Sequence, residues 1–174
     1  MADTVPAASG SDGDDGAELR CALAAAWHVM RARRVREFHH VVDVVDSLRD
    51  VPRSFKARTW TRLRMGLRAA VVMQMLRDGQ SGDVISDAMR RYFPPGSSQK
   101  EQPDVAEAQE HFVRLVSELV QNPRKRKWYL QRWAPHTYGR KLVTNLKSLL
   151  FELLLRIDSA LPPPRPRQDA GPDP

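Results

Sequence analysis

Only one cysteine, Cys21, stands among the 174 residues, so neither an internal disulfide nor a Cys-rich zinc site can be built. That pattern suits a reducing compartment. The nine glycines lie mainly in residues 1–16, in Gly79-Gln80-Ser81-Gly82 and in the C-terminal tail. None opens a Walker-type GK[ST] loop or a dinucleotide turn, so phosphate binding by those routes has no support. No long apolar run is present either. The most apolar stretch, 142–161, is interrupted by Lys147, Glu152, Arg156 and Asp158, which a lipid-facing helix would have to desolvate at several kcal/mol in total. No alternating run bounded by hairpin turns occurs, and no period of thirty to fifty residues repeats, which argues against strands and solenoids.

Acidic charge is short as well, and the net charge is +7. Five acids, Asp3, Asp12, Asp14, Asp15 and Glu18, cluster near the N-terminus without a Lys or Arg among them, so the remainder is more basic still. Such a field attracts nucleic acid or acidic partners without demonstrating specific binding. Residues 1–16 have no basic start and no apolar h-region, and are expected to form a disordered acidic leader rather than a signal peptide. A chain of this length fits one domain with tails.

What remains is helical periodicity. Over 17–49, Leu19, Leu23, Trp27, Met30, Phe38, Val42, Val45 and Leu48 recur at three- and four-residue steps and predict one long amphipathic helix, stopped near Pro52. A second helix is predicted over 53–77, with Asp78-Gly79 at its end, where glycine accepts left-handed dihedrals. Ser81 is placed to cap a third over 82–92, closed by Pro94-Pro95-Gly96. After a linker at 97–102, Pro103 suits the first turn of a fourth helix, ended by Asn122-Pro123. The last helix, 138–161, is apolar around most of its circumference and is expected to run through the centre of the bundle. The class is all-α, a multi-helix bundle over 17–161. The Pro-rich tail, 162–174, has the composition of a polyproline II segment, which serves either as a ligand for an aromatic groove or as a spacer.

Little in this pattern suggests chemistry. His28, His39, His40, His111 and His136 form no H-E-x-x-H pair, and the adjacent His39 and His40 should point about a hundred degrees apart on a helix. They read as solvent-facing or capping residues. Cys21 has no evident base beside it and is expected as a small buried residue at the core-facing edge of the first helix. Glu107, Glu110, Glu118 and Glu152 lie beside basic residues, as on an ordinary solvated face. No catalytic residue, metal or cofactor is expected. The sharpest local feature is Arg124-Lys125-Arg126-Lys127, followed by Trp128, Tyr129 and Trp133. It reads either as a nuclear-localisation or phosphate-contacting patch with stacking rings, or as a basic connector whose aromatics pack on the bundle. The four tryptophans are too scattered for a Myb-like reader.

Several strings carry a family resemblance: Ala24-Ala25-Ala26-Trp27-His28-Val29-Met30-Arg31, Arg62-Leu63-Arg64-Met65-Gly66-Leu67-Arg68-Ala69-Ala70-Val71-Val72, Tyr92-Phe93-Pro94, Glu107-Ala108-Gln109-Glu110-His111-Phe112, Leu149-Leu150-Phe151-Glu152 and Ala160-Leu161-Pro162. In order and spacing they resemble the N-terminal domain of the TRF-interacting nuclear factors of shelterin, the telomere-protecting complex. The resemblance implies a fold like the TRF-homology domain, a nuclear location at telomeres, and a monomeric scaffold. It also implies that this scaffold tethers a duplex telomeric repeat-binding factor to the subunit carrying the single-strand-binding protein, so that telomeric DNA is reached indirectly and no membrane is involved. Two departures stand out. Residues 124–136 are basic and aromatic where the family is more acidic, and no F-x-L-x-P docking peptide is present, since Phe151 is followed by Glu152-Leu153-Leu154-Leu155.

A peptide-docking domain needs an apolar groove edged by charge. One groove is expected between the first and fourth helices, with small Ala22, Ala26 and Ala108 as floor and Phe112 and Leu115 as walls; by resemblance it takes the single-strand-side subunit. A second joins the end of the first helix to the start of the second, with Val44, Leu48, Phe55 and Leu63 as lining and Arg58 and Arg62 as rim, and by analogy holds a peptide of the duplex-binding factor. The alternative function is a basic helical nucleic-acid-binding module centred on Arg124, Lys125, Arg126 and Lys127.

Overall fold

The computed structural model describes residues 12–48, 55–97 and 102–161. Its regular elements are all helical, as expected: α1 (Asp12–Arg31), a 3-10 turn (Val35–Glu37), α2 (Phe38–Ser47), α3 (Ala57–Arg77), α4 (Gly82–Tyr92), α5 (Pro103–Gln121), α6 (Pro123–Arg132), the single turn α7 (Ala134–Thr137) and α8 (Arg140–Ala160). Helix α1 already begins within the segment expected as leader. Pro52, most of the 97–102 linker and the tail 162–174 lie outside the described residues.

The long first helix of the sequence reading is two helices. Helix α1 stops in a Schellman closure: the Arg34 amide donates to the Val29 carbonyl at 3.2 Å and the Arg33 amide to the Met30 carbonyl at 3.1 Å. Arg33 takes the left-handed position, with φ 54°. The same closure ends α3, where the Gln80 amide reaches the Met75 carbonyl at 3.1 Å and the Gly79 amide the Leu76 carbonyl at 3.2 Å, with φ 71° at Gly79. A glycine announces the second closure and nothing announces the first. The apolar periodicity survives the break because the 3-10 turn brings Phe38 back to the core. Arg33→Gly removes the left-handed penalty of a residue bearing a Cβ and is expected to stabilise the domain by about 0.5–1 kcal/mol. A urea melt would read this as a raised midpoint at unchanged slope.

Helix α3, rather than α8, runs through the centre. Ala69 to Met73 are five consecutive buried residues, and at helical spacing five in a row cover the whole circumference. Their neighbours are α2, α4, α5 and α8. Helix α8 buries one stripe, Val143, Leu146, Leu150, Leu153 and Ile157, against α3 and α1, and leaves Phe151 and Leu155 about half exposed. Close approach of α3 and α8 depends on Gly66, where a Cβ would meet Leu146 Cδ2 at 2.6 Å.

The core also takes in Leu23, Ala26 and Met30 of α1, Phe38, Val41, Val42 and Val45 of α2, Ile85 and Tyr92 of α4, and Phe112, Val116 and Leu119 of α5. Each large side chain so buried contributes roughly 1.5–3 kcal/mol. Ion pairs tie α2 to its neighbours more weakly. Asp46 accepts from Arg64 at 3.0 Å and Arg68 at 2.8 Å, and Asp43 from Arg91 at 2.7 Å. The first two are partly sheltered; the third is exposed, in the class that contributes about 0–1 kcal/mol. Burial sets the stability, and the charges fix the register of α2 across α3 and α4.

Candidate docking surfaces

The two expected grooves dissolve in part into the core. At the α2–α3 corner, Phe55 and Leu63 are 4% and 0% exposed, so they belong to the interior, whereas Val44 and Leu48 are half-buried at the surface. Arg58 and Arg62, expected as a rim, are exposed but share one carboxylate on the first turn of α5: Arg58 donates to Asp104, and Arg62 lies 3.3 Å from it. The Arg58 hydrogen bond, more than its charge, holds the Asp104 carboxyl below the usual range. What this corner offers is a small apolar lip on α2 beside a charge cluster that couples α3 to α5.

The other expected groove is not assembled. Helix α1 packs mainly on α2 and α8, and α5 on α3, α4 and α6, so the two do not form facing walls. Ala26 is buried and Ala22 half-buried on α1; on α5, Ala108 is exposed, Leu115 half-buried and Phe112 only 1% exposed. Phe112 lies between Phe93, with ring centroids 5.2 Å apart, and Tyr138, at 5.6 Å. It is a core residue rather than a groove wall. Burial there pushes the Tyr138 phenol well above its ordinary range.

A cleft that the sequence reading missed opens between α1 and α8. It encloses about 250 Å³ and is lined by Arg20, Leu23, Ala24, Trp27, Leu154, Asp158 and Leu161. Trp27 packs on Phe151 at 5.3 Å between ring centroids, and Leu155 adds a further exposed apolar side chain one turn along. Arg20 and Asp158 face each other across the rim at 3.7 Å. The signal was present in the sequence: an α8 apolar on two sides has either a second layer of helix over it or an uncovered stripe, and no element of the described fold supplies the second layer. Two further depressions are more polar at their edges. One, of about 430 Å³, lies between the 3-10 turn, α3 and α4 and contains the Arg36–Asp78 ion pair at 2.9 Å; the other, about 590 Å³, lies beside Pro94-Pro95-Gly96 and α5.

Cys21 is exposed, not buried as expected, because residues 19, 23, 26 and 30 take the core side of α1. The rings of His39 and His40 lie 3.9 Å apart rather than diverging, and the His39 ring Nδ1 is 3.0 Å from the Arg36 carbonyl. Among the described residues no group of three His, Cys, Asp or Glu is arranged to hold a metal ion, and no helix is long and apolar enough to cross a membrane.

The basic run, for which the sequence offers a nuclear-localisation or phosphate-contacting patch or a basic connector but no helix, opens α6. Asn122 ends α5 and caps α6, its side chain accepting the Lys125 amide at 3.0 Å, and Pro123 occupies the first turn. One dipeptide is thus both stop and start signal. Lys125 pairs with Glu118, whose carboxyl is held low chiefly by that hydrogen bond.

Fold and surface together define an all-helical domain with an uncovered apolar stripe and a separate cationic helix. The model of the TERF1-interacting nuclear factor 2 N-terminus family matches residues 27–168, and the chain belongs to that family. Mouse TERF1-interacting nuclear factor 2 is 36% identical over 154 residues, an overlap covering 87% of this chain and 44% of the relative. The human protein of the same name is 34% identical over 161 residues, covering 87% and 36%. The chain therefore spans less than half the length of these relatives.

Proposed function

We propose that this domain is a non-enzymatic scaffold of the telomere-protecting shelterin complex in the nucleus, docking segments of other subunits on apolar clefts between its helices. The observation that carries the reading is the α1–α8 cleft, lined by Leu23, Trp27, Leu154 and Leu161, beside which Phe151 packs on Trp27 and Phe151 and Leu155 stay about half exposed. Such a surface costs solubility unless something covers it. The relatives are, by name, nuclear factors that interact with TERF1, which supports a partner of that kind here. A segment of the subunit that carries the single-strand-binding protein is assigned to the α1–α8 cleft. A peptide of a duplex telomeric repeat-binding factor is assigned to the α2–α3 corner, against Val44 and Leu48 with Arg58 and Arg62 beside it. The partner binding is apolar, so it should change little with salt.

The test is a fluorescence-anisotropy titration of the chain with a labelled C-terminal segment of the single-strand-side subunit. Leu155→Glu, at a position 54% exposed, is expected to weaken binding at least about ten-fold with melting unchanged. Ala108→Arg on α5 is the counterpart, exposed and remote from the cleft. Loss of binding in Ala108→Arg with none in Leu155→Glu would move the site to α5, and no saturable binding by the native chain would end the scaffold reading.

A further inference from the structure

We propose that α6 and the turn after it form a binding face for single-stranded nucleic acid, separate from the apolar cleft. Between Glu118 and Glu152 the sequence contains eight Lys and Arg and no Asp or Glu. Helix α6 has no fully buried residue; it leans on the core through the partly buried Tyr129 and Leu130. Its free side carries Arg124, Lys127 and Trp128 at positions i, i+3 and i+4. Among the described residues Lys125 is paired with Glu118, whereas Arg124, Lys127 and Arg132 make no ion pair.

The tryptophans choose the ligand. Trp128 and Trp133 are 53% and 54% exposed, and their ring centroids lie 6.4 Å apart at a tilt of 55°. Two adjacent indoles left in water beside unpaired cations match a ligand that presents negative charge and flat apolar faces together. A single strand does so, because its bases are free to stack while its phosphates meet Lys and Arg. A duplex hides its base faces in the stack, and an acidic peptide has charge without faces. Fold stability does not account for the arrangement: cations in the first turn of a helix oppose its dipole, and exposed indoles contribute little to a core.

The test titrates the 174-residue chain against a labelled oligonucleotide of roughly 20 nucleotides, with the matching duplex and a poly-glutamate peptide as controls, at low and high salt. The single strand is expected to bind more tightly than either control, with affinity falling steeply as salt rises. Trp128→Ala with Trp133→Ala should weaken it at least about ten-fold at both salts, while Trp128→Phe with Trp133→Phe restores most of the affinity and circular dichroism stays unchanged. Arg124→Glu with Lys127→Glu should weaken binding and flatten the salt dependence. Equal binding of duplex or poly-glutamate, or an undiminished affinity in the double alanine variant, would overturn the proposal. Because the peptide titration reads a different face, Leu155→Glu should leave strand binding intact.

Discussion

Phe112→Ala is expected to lower the unfolding free energy by about 3–5 kcal/mol, a large fraction of what a domain of this size possesses. Phe112 is 1% exposed and joins three parts of the fold: its own helix α5, Phe93 just after α4, and Tyr138 between α7 and α8. Truncation removes the ring from both aromatic contacts and leaves a void that helices anchored elsewhere on α3 can only partly close. Urea denaturation followed by circular dichroism reads the loss as a fall in midpoint. The same variant separates core from groove wall. A wall residue would lose partner affinity at an unchanged midpoint, and that outcome would return Phe112 to the docking surface.

Gly139→Ala should be nearly as damaging, on the order of 3 kcal/mol, for a different reason. A Cβ at this position would lie 2.0 Å from the Pro135 carbonyl oxygen and 2.9 Å from its carbon. These are backbone atoms, so no side chain can rotate away to relieve the overlap, and the α7–α8 corner has to open. Gly79→Ala is the control: there the cost is the left-handed φ of 71° alone, since nothing lies within 4 Å of the added carbon, and about 1–2 kcal/mol is expected. Comparing the two midpoints tests whether steric closure, rather than glycine's dihedral freedom, is what the corner requires. Amide hydrogen exchange around Tyr138 should accelerate in Gly139→Ala and stay unchanged in Gly79→Ala. Equal midpoints in the two variants would show that the corner tolerates a side chain.

Helix ends were legible where a local chemical signal marked them. Ser81 caps α4 as its hydroxyl suggested, Pro103 opens α5, and Asp78-Gly79 closes α3. The break after Arg31 was not legible, because an arginine fills a position that usually announces itself as glycine. Helix α6 was hidden for the opposite reason: its signal, Asn122-Pro123, was already in use as the end of α5. The site was read less well than the fold. Apolar periodicity says that Phe55, Leu63 and Phe112 avoid water, but core and groove satisfy that condition equally. Cys21 was misplaced on α1: at helical spacing it stands on the side opposite Leu19, Leu23, Ala26 and Met30, and so faces solvent.

Composition and periodicity determined the helical class and the location of positive charge, and local cap, proline and glycine signals the ends of α4 and α5 and the close of α3, since each follows from interactions within a few residues along the chain. The order and spacing of the strings from Ala24 to Pro162 likewise pointed to the family that the match over residues 27–168 shows, before any helix was placed in space. Tertiary structure alone decided which helix is central, that α1 faces α8 rather than α5, and that Trp27, Phe151 and Leu155 share an uncovered stripe. The physical reason is that burial belongs to pairs of surfaces. An apolar side chain carries the same drive out of water wherever it sits, and only the packing of distant segments determines whether its neighbour is the chain's own core or a place left for a partner.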